Sequence, residues 1–293
     1  MNYSEFLCNI KQAMTERFDS SYNISVKPIE KNNGTHLDGL IICNPDYNIS
    51  PAIYLTPYYH RYLDGVGMKD ICDDIYRTYN KYMPSQNFDT ESIISYEKCQ
   101  SHIIYKLVNY DKNEGMLAHI PHLKYLDFAV VFMLALDNNF YGNATITIHE
   151  QLLQKWNVTV TDLLAVAAQN APRLFPHQLT DLNELAASIY DLSDYDDLID
   201  MYVLSNLPRI NGAAVILYDG LLQEIADSLD SNLLLIPSSI HEFVILPQDS
   251  RVDLDTLTEL INSVNEISVS DEEVLSNHPY LYDRSLKCLT IPV

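Results

Sequence analysis

Phe6, Ile10, Met14 and Phe18 recur at every fourth position behind Ser4. That spacing stacks them on one face of a helix over residues 4–18, with Ser4 as its cap. The pattern then changes. Residues 22–43 alternate apolar and polar positions on either side of Asn32-Asn33-Gly34, which predicts two strands joined by a tight turn that accepts a positive φ. A short strand runs into the aromatic stretch TPYYHRYLDG, and Ile71, Ile75 and Tyr79 mark a helix over 68–83. After Pro84 the pattern predicts a helix around 89–102 and a strand at 103–109.

In the second half, NATITIHEQLLQKW (143–156) and GAAVILYDGLLQEI (212–225) superpose without a gap. Each follows an apolar strand and a Gly/Asn turn, so each reads as a strand–turn–strand–helix unit, with Asp219 as a helix cap. A duplication and two ordinary hairpin-plus-helix segments are both compatible with this agreement. Residues 161–171 read as a helix and 233–247 as a strand pair. Residues 253–267, with Leu254, Leu257, Ile261 and Val264, read as a surface helix with one apolar stripe. Hairpins mixed with helices predict an α+β fold with mainly antiparallel sheets. The weakest joint lies at 110–118, which divides the chain into an N-terminal region, 1–115, and a C-terminal region, 116–293, unless the two form one continuous body.

Charge narrows the function. The 293 residues carry 18 Lys+Arg against 40 Asp+Glu, a formal net charge of −22. Such a surface repels phosphate backbones and anionic lipid heads, so neither nucleic acid nor membrane is expected as a direct partner. A basic protein is the electrostatic complement. The longest apolar run, residues 128–136, is far short of the roughly 20 residues that cross a bilayer. The five cysteines are scattered with no C-x-x-C pair, which predicts reduced thiols and a cytoplasmic location.

The candidate chemistry is sparse. His119 and His122 straddle Pro121, and His241 precedes Glu242. Together they are the candidates for a metal-dependent or hydrolytic centre, if the two segments meet in one cleft. As neighbours on a strand, His241 and Glu242 would point to opposite faces, which disfavours a shared metal. Ser239 lacks the glycine-rich elbow of a serine nucleophile, and Pro237-Ser238-Ser239 suits a turn. No cofactor and no metal are expected. The run YDLSDYDDLID places Asp191, Asp194, Tyr195, Asp196, Asp197 and Asp200 together, a candidate surface for a basic partner.

The segments ISPAIYLTPYY, HIPHLKYLDFAVVF, INGAAVILYDGLL and IPSSIHEFVILP, in this order and spacing, resemble a family of uncharacterised proteins from gut Clostridia and relatives. The resemblance spans nearly the whole chain. It implies a cytoplasmic bacterial protein of the kind found with mobile or conjugative elements, and it carries no activity or site residue with it. The leading expectation is a non-enzymatic acidic module that docks on a basic, nucleic-acid-handling protein.

Overall fold

The structure, a computed structural model, describes residues 1–84, 86–136, 144–187, 199–248 and 252–292. It is α+β with antiparallel sheets, as the mixed periodicity predicts. Its described residues divide into two compact units, 1–31 with 35–91, and 32–34 with 92–136 and 144–292. The stretch around 110–118 lies inside the second unit.

In the first unit, helix α1 (Tyr3–Arg17) buries Phe6, Ile10 and Met14 completely. Its cap is Asn2, not Ser4: Asn2 Oδ1 accepts the Glu5 N–H, and the Glu5 carboxylate accepts the Asn2 N–H in return. This reciprocal box satisfies two of the amides that a helix start leaves orphaned. Strands β1 (Asn23–Glu30), β2 (His36–Cys43) and β3 (Ala52–Tyr54) form a three-stranded antiparallel sheet. The β1–β2 turn sets Asn33 at φ 60° and Gly34 at φ 67°, the two residue types that tolerate that region. Helices α2 (Thr56–Leu63) and α3 (Met68–Tyr82) complete a core of Leu40, Ile42, Ile53, Ile71, Ile75 and Tyr79 with the α1 residues.

The continuous helix read at 89–102 is broken in three: α4 (Thr90–Ile94), α5 (Tyr96–Cys99) and a 3-10 turn (Gln100–His102). Side chains from later elements take the carbonyls that a longer helix would use. The Trp156 indole N–H donates to the Ile93 and Ile94 carbonyls at 3.1 Å each, and Asn170 Nδ2 donates to those of Gln100 and Ile103.

The second unit holds two sheets. In the four-stranded one, β6 (Phe128–Ala135) pairs along one edge with β4 (Ile103–Asn109). Its other edge is shared end to end by β5 (His122–Tyr125) and β7 (Thr145–Thr147). Helix α8 (Val160–Leu174) packs on β4 and β6; α6 (Glu114–Leu117) and α7 (Glu150–Trp156) precede α8 in the chain, and α9 (Leu182–Ala187) follows it. The six-stranded sheet contains β8 (His177–Asp181), β9 (Tyr202–Asn206), β10 (Leu233–Ser239), β11 (Glu242–Pro247), β12 (Tyr280–Asp283) and β13 (Cys288–Thr290). Their spatial order is β13-β12-β10-β11-β9-β8. Phe128 of β6 meets Phe243 of β11 edge-on and Tyr280 of β12 at 4.8 Å between ring centroids. Buried aromatic contacts of this kind join the two sheets in one core.

The two similar sequence segments differ in structure. Thr145–Thr147 is a strand, but Gly212–Leu217 is a 3-10 helix. The cause lies at Gly212, where a Cβ would stand 2.2 Å from Ser205 Oγ and 2.5 Å from the His241 carbonyl. That approach, entered through Asn211 at φ 51°, bends the chain away from an extended path. The following helix, α10 (Leu221–Ser228), starts at Gly220 with no side-chain cap from Asp219. Helix α11 (Leu254–Ser268) is capped by Asp253, which accepts the Thr256 N–H. Among the described residues no helix is long and apolar enough to cross a membrane.

Candidate functional site

His241 sits in the turn of the β10–β11 hairpin, between two strands with buried residues on both sides. A register shift between Pro237 and Ser239 makes room for the turn, and Ser239 Oγ accepts the His241 N–H at 3.0 Å. Ser238 Oγ lies 3.3 Å from Glu242 Oε1. His241 Nδ1 accepts the Asn211 N–H at 3.0 Å, so that nitrogen carries no proton, and Nε2–H faces Glu273 Oε1 at 3.3 Å. Both ring nitrogens are thus engaged away from Ser239. The arrangement holds one tautomer of a half-buried imidazole against a glutamate, and it supplies no base to a serine.

His119 is exposed just beyond α6, and its carbonyl accepts the Glu150 N–H. His122 opens β5, with Nδ1 at 2.8 Å from the Ile120 carbonyl and its ring against Tyr110. No hydrogen bond joins this segment to His241 or Glu242 among the described residues. Nor, among those residues, does any group of three or more His, Cys, Asp or Glu side chains lie close enough to hold a metal ion. Of the acidic run, Asp191, Asp194, Tyr195, Asp196 and Asp197 lie outside the described residues. Asp200 is exposed just ahead of β9.

A polar centre that periodicity did not single out surrounds Asp127. This residue occupies the two-residue turn between β5 and β6, reached through Leu126 at φ 56°. A left-handed leucine costs about 1–2 kcal/mol, so the turn is held by what surrounds it. Asp127 receives the Tyr280 hydroxyl at 2.7 Å, His278 Nε2 at 3.1 Å and Ser276 Oγ at 3.2 Å. His278 Nδ1 faces the Pro279 carbonyl at 3.1 Å. Both imidazole nitrogens therefore face oxygen acceptors, which an imidazolium alone can satisfy with two donors. Burial works to raise the Asp127 pKa, but the hydrogen bonds from His278 and Tyr280 outweigh it and leave the carboxyl below its usual range. The bond to Asp127 lifts His278 above its usual value against the opposing effect of burial. The signal in the sequence was a lone aspartate between two apolar runs and a His-x-Tyr pair far downstream, and nothing in periodicity connects them.

The described surface also carries an apolar stripe. On α11, Leu257 and Ile261 are buried, while Leu260, Val264 and Ile267 are 58%, 43% and 81% exposed. Their spacing of four and three stacks them along one side of the helix. Around them the helix bears Asp255, Glu259 and Glu266 and no lysine or arginine, and Asp271, Glu272 and Glu273 follow directly.

Over residues 3–284 the chain matches the model of a family of unknown function, DUF5688. It belongs to that family. The match takes in both units, and with them the His241 turn, the Asp127 centre and the whole of α11. No curated protein and no solved structure matches the chain.

Proposed function

We propose that the protein is a non-enzymatic binding module that seats a basic amphipathic segment of a partner protein on α11. The observation that carries this reading is the stripe Leu260–Val264–Ile267, exposed on a helix whose charges are all acidic. An exposed apolar row with an acidic border complements a helix that carries leucines on one side and lysines or arginines beside them. A second copy of this chain is a poorer occupant, because it would set acid against acid. The formal charge of −22 would steer a basic partner toward the surface. A protein whose basic site ordinarily meets nucleic acid has this chemistry. The mobile-element setting that the resemblance implies would make the protein an accessory or anti-defence factor. The five thiols, all free, favour work in the reducing cytoplasm.

The test uses a Leu/Lys-patterned helical peptide, followed by fluorescence anisotropy at low and high salt. Binding should weaken as salt rises, and the double variant Leu260→Glu/Ile267→Glu should lose it even though it is more acidic. Equal or tighter binding by that variant would show attraction to net charge alone and overturn the assignment to α11.

A further inference from the structure

We propose that a pocket in the second unit, formed where β4 approaches the Gly212–Leu217 helix, is a binding site for a single buried water that satisfies the Tyr105 hydroxyl. The pocket is lined by Tyr105, Met133, Thr145, Phe175, Asn211 and Tyr218, among others. Tyr105 is 4% exposed, and its hydroxyl is fully buried with no hydrogen-bond partner among the described residues. An orphaned buried hydroxyl costs about 1–3 kcal/mol, so an occupant that pairs it, where the surrounding space admits one, stabilises the fold.

Size decides which occupant. The space open to the centre of a water molecule is about 10 Å³, which is room for one water and too little for an organic ligand. The lining is also chemically suited to water and to no ion. None of its side chains is charged. Burial pushes the ionisation of Tyr105 far above its ordinary range, so the hydroxyl remains a neutral donor. Tyr218 spends its own proton on the Phe175 carbonyl at 2.8 Å, which leaves its oxygen free to accept. Among the described residues Thr145 Oγ1 has only a weak contact at 3.6 Å with the Met133 sulfur. The carboxamide of Asn211 makes no hydrogen bond among the described residues. A water needs two to four polar partners, and Tyr105, Tyr218, Thr145 and Asn211 bring such groups to the lining of this one space.

The site also touches the histidine turn. Asn211 lines the pocket, and its backbone N–H holds His241 Nδ1. A water anchored there would brace the left-handed Asn211 and, through it, the His241 tautomer.

The sign of one substitution tests this. Tyr105→Phe removes the hydroxyl and keeps the ring. If the hydroxyl binds water, the variant strands that water and its Tm falls. If the hydroxyl is simply unsatisfied, the variant relieves a penalty and its Tm stays level or rises, which overturns the proposal. A second readout is the magnetisation transfer from a long-lived water to the Tyr105 hydroxyl or ring protons in the wild-type protein. Its presence is expected, and its absence would refute the site whatever Tm does.

Discussion

The Nε2 atom of His278 lies 3.1 Å from Asp127 Oδ2, across 151 residues of chain, while its Nδ1 faces a carbonyl. His241 is the reverse case, since its Nδ1 accepts a backbone N–H. One fold therefore holds one imidazole with two acceptors and another with one donor and one acceptor.

The His278–Asp127 pair should show in the pH dependence of stability. His278 has a folded pKa raised above 6.5, so its contribution is complete below 6.5 and fades as pH climbs through the raised value. Asp127 has a folded pKa lowered from 3.8, so its contribution holds above 3.8 and is lost as pH falls through the lowered value. The stability difference between wild type and His278→Asn should thus be widest between these two limits and shrink on both sides. Urea unfolding across pH checks it, and a flat difference would contradict the ion pair.

Gly212 should tolerate no side chain. In Gly212→Ala the new Cβ meets Ser205 Oγ, the His241 carbonyl and the Asn206 amide, two of them main-chain atoms that cannot swing aside. Overpacking of this kind costs roughly 1–3 kcal/mol. Adding Ser205→Ala should recover little of it, because the main-chain contacts remain. Denaturant midpoints of the single and double variants measure the recovery.

The tautomer of His241 is open to direct observation. Nitrogen-15 shifts of the neutral ring should report a protonated Nε2 and a bare Nδ1. Glu273→Gln, which keeps an oxygen acceptor, should preserve that pattern, and Glu273→Ala should blur it into a mixture of tautomers.

Tyr79 offers a comparison within the first unit. Its hydroxyl is buried with no partner among the described residues, and burial pushes its pKa up to about 12. Tyr79→Phe should raise the stability of this unit by about 1 kcal/mol, since an unpaired buried hydroxyl is removed and the ring contacts with Phe18 remain. Thermal unfolding measures the shift.

Elements whose register is local were legible before the structure. The stripe of α1, the Asn-Gly turn of β1–β2, α3 and the β10–β11 hairpin all follow from spacing and turn chemistry. What escaped was set by distant partners. Residues 89–102 have a helical pattern, but the indole of Trp156 and the amide of Asn170 capture their carbonyls. Residues 212–217 read as a strand because their apolar run is strand-like, while close packing on Ser205 and His241 curls them. On α11 the predicted stripe was half right. Leu257 and Ile261 are buried, but Val264 faces outward with Leu260 and Ile267. The Asp127 centre had no local signature at all, because its three donors sit between 149 and 153 residues downstream.

That separation has a cost in time. When the turn carrying Leu126 and Asp127 leaves the ribosome, Tyr280 is still 153 residues from being made. At about 5–20 residues per second the delay is on the order of 10 s. During it the β5–β6 hairpin holds a strained leucine and a carboxylate that has none of its native donors. The four-stranded sheet can pair early but stays unfinished, and an apolar face built around Phe128 waits uncovered for Phe243 and Tyr280. For this chain, the interval before its last two strands arrive is the period of greatest exposure to aggregation and to proteases.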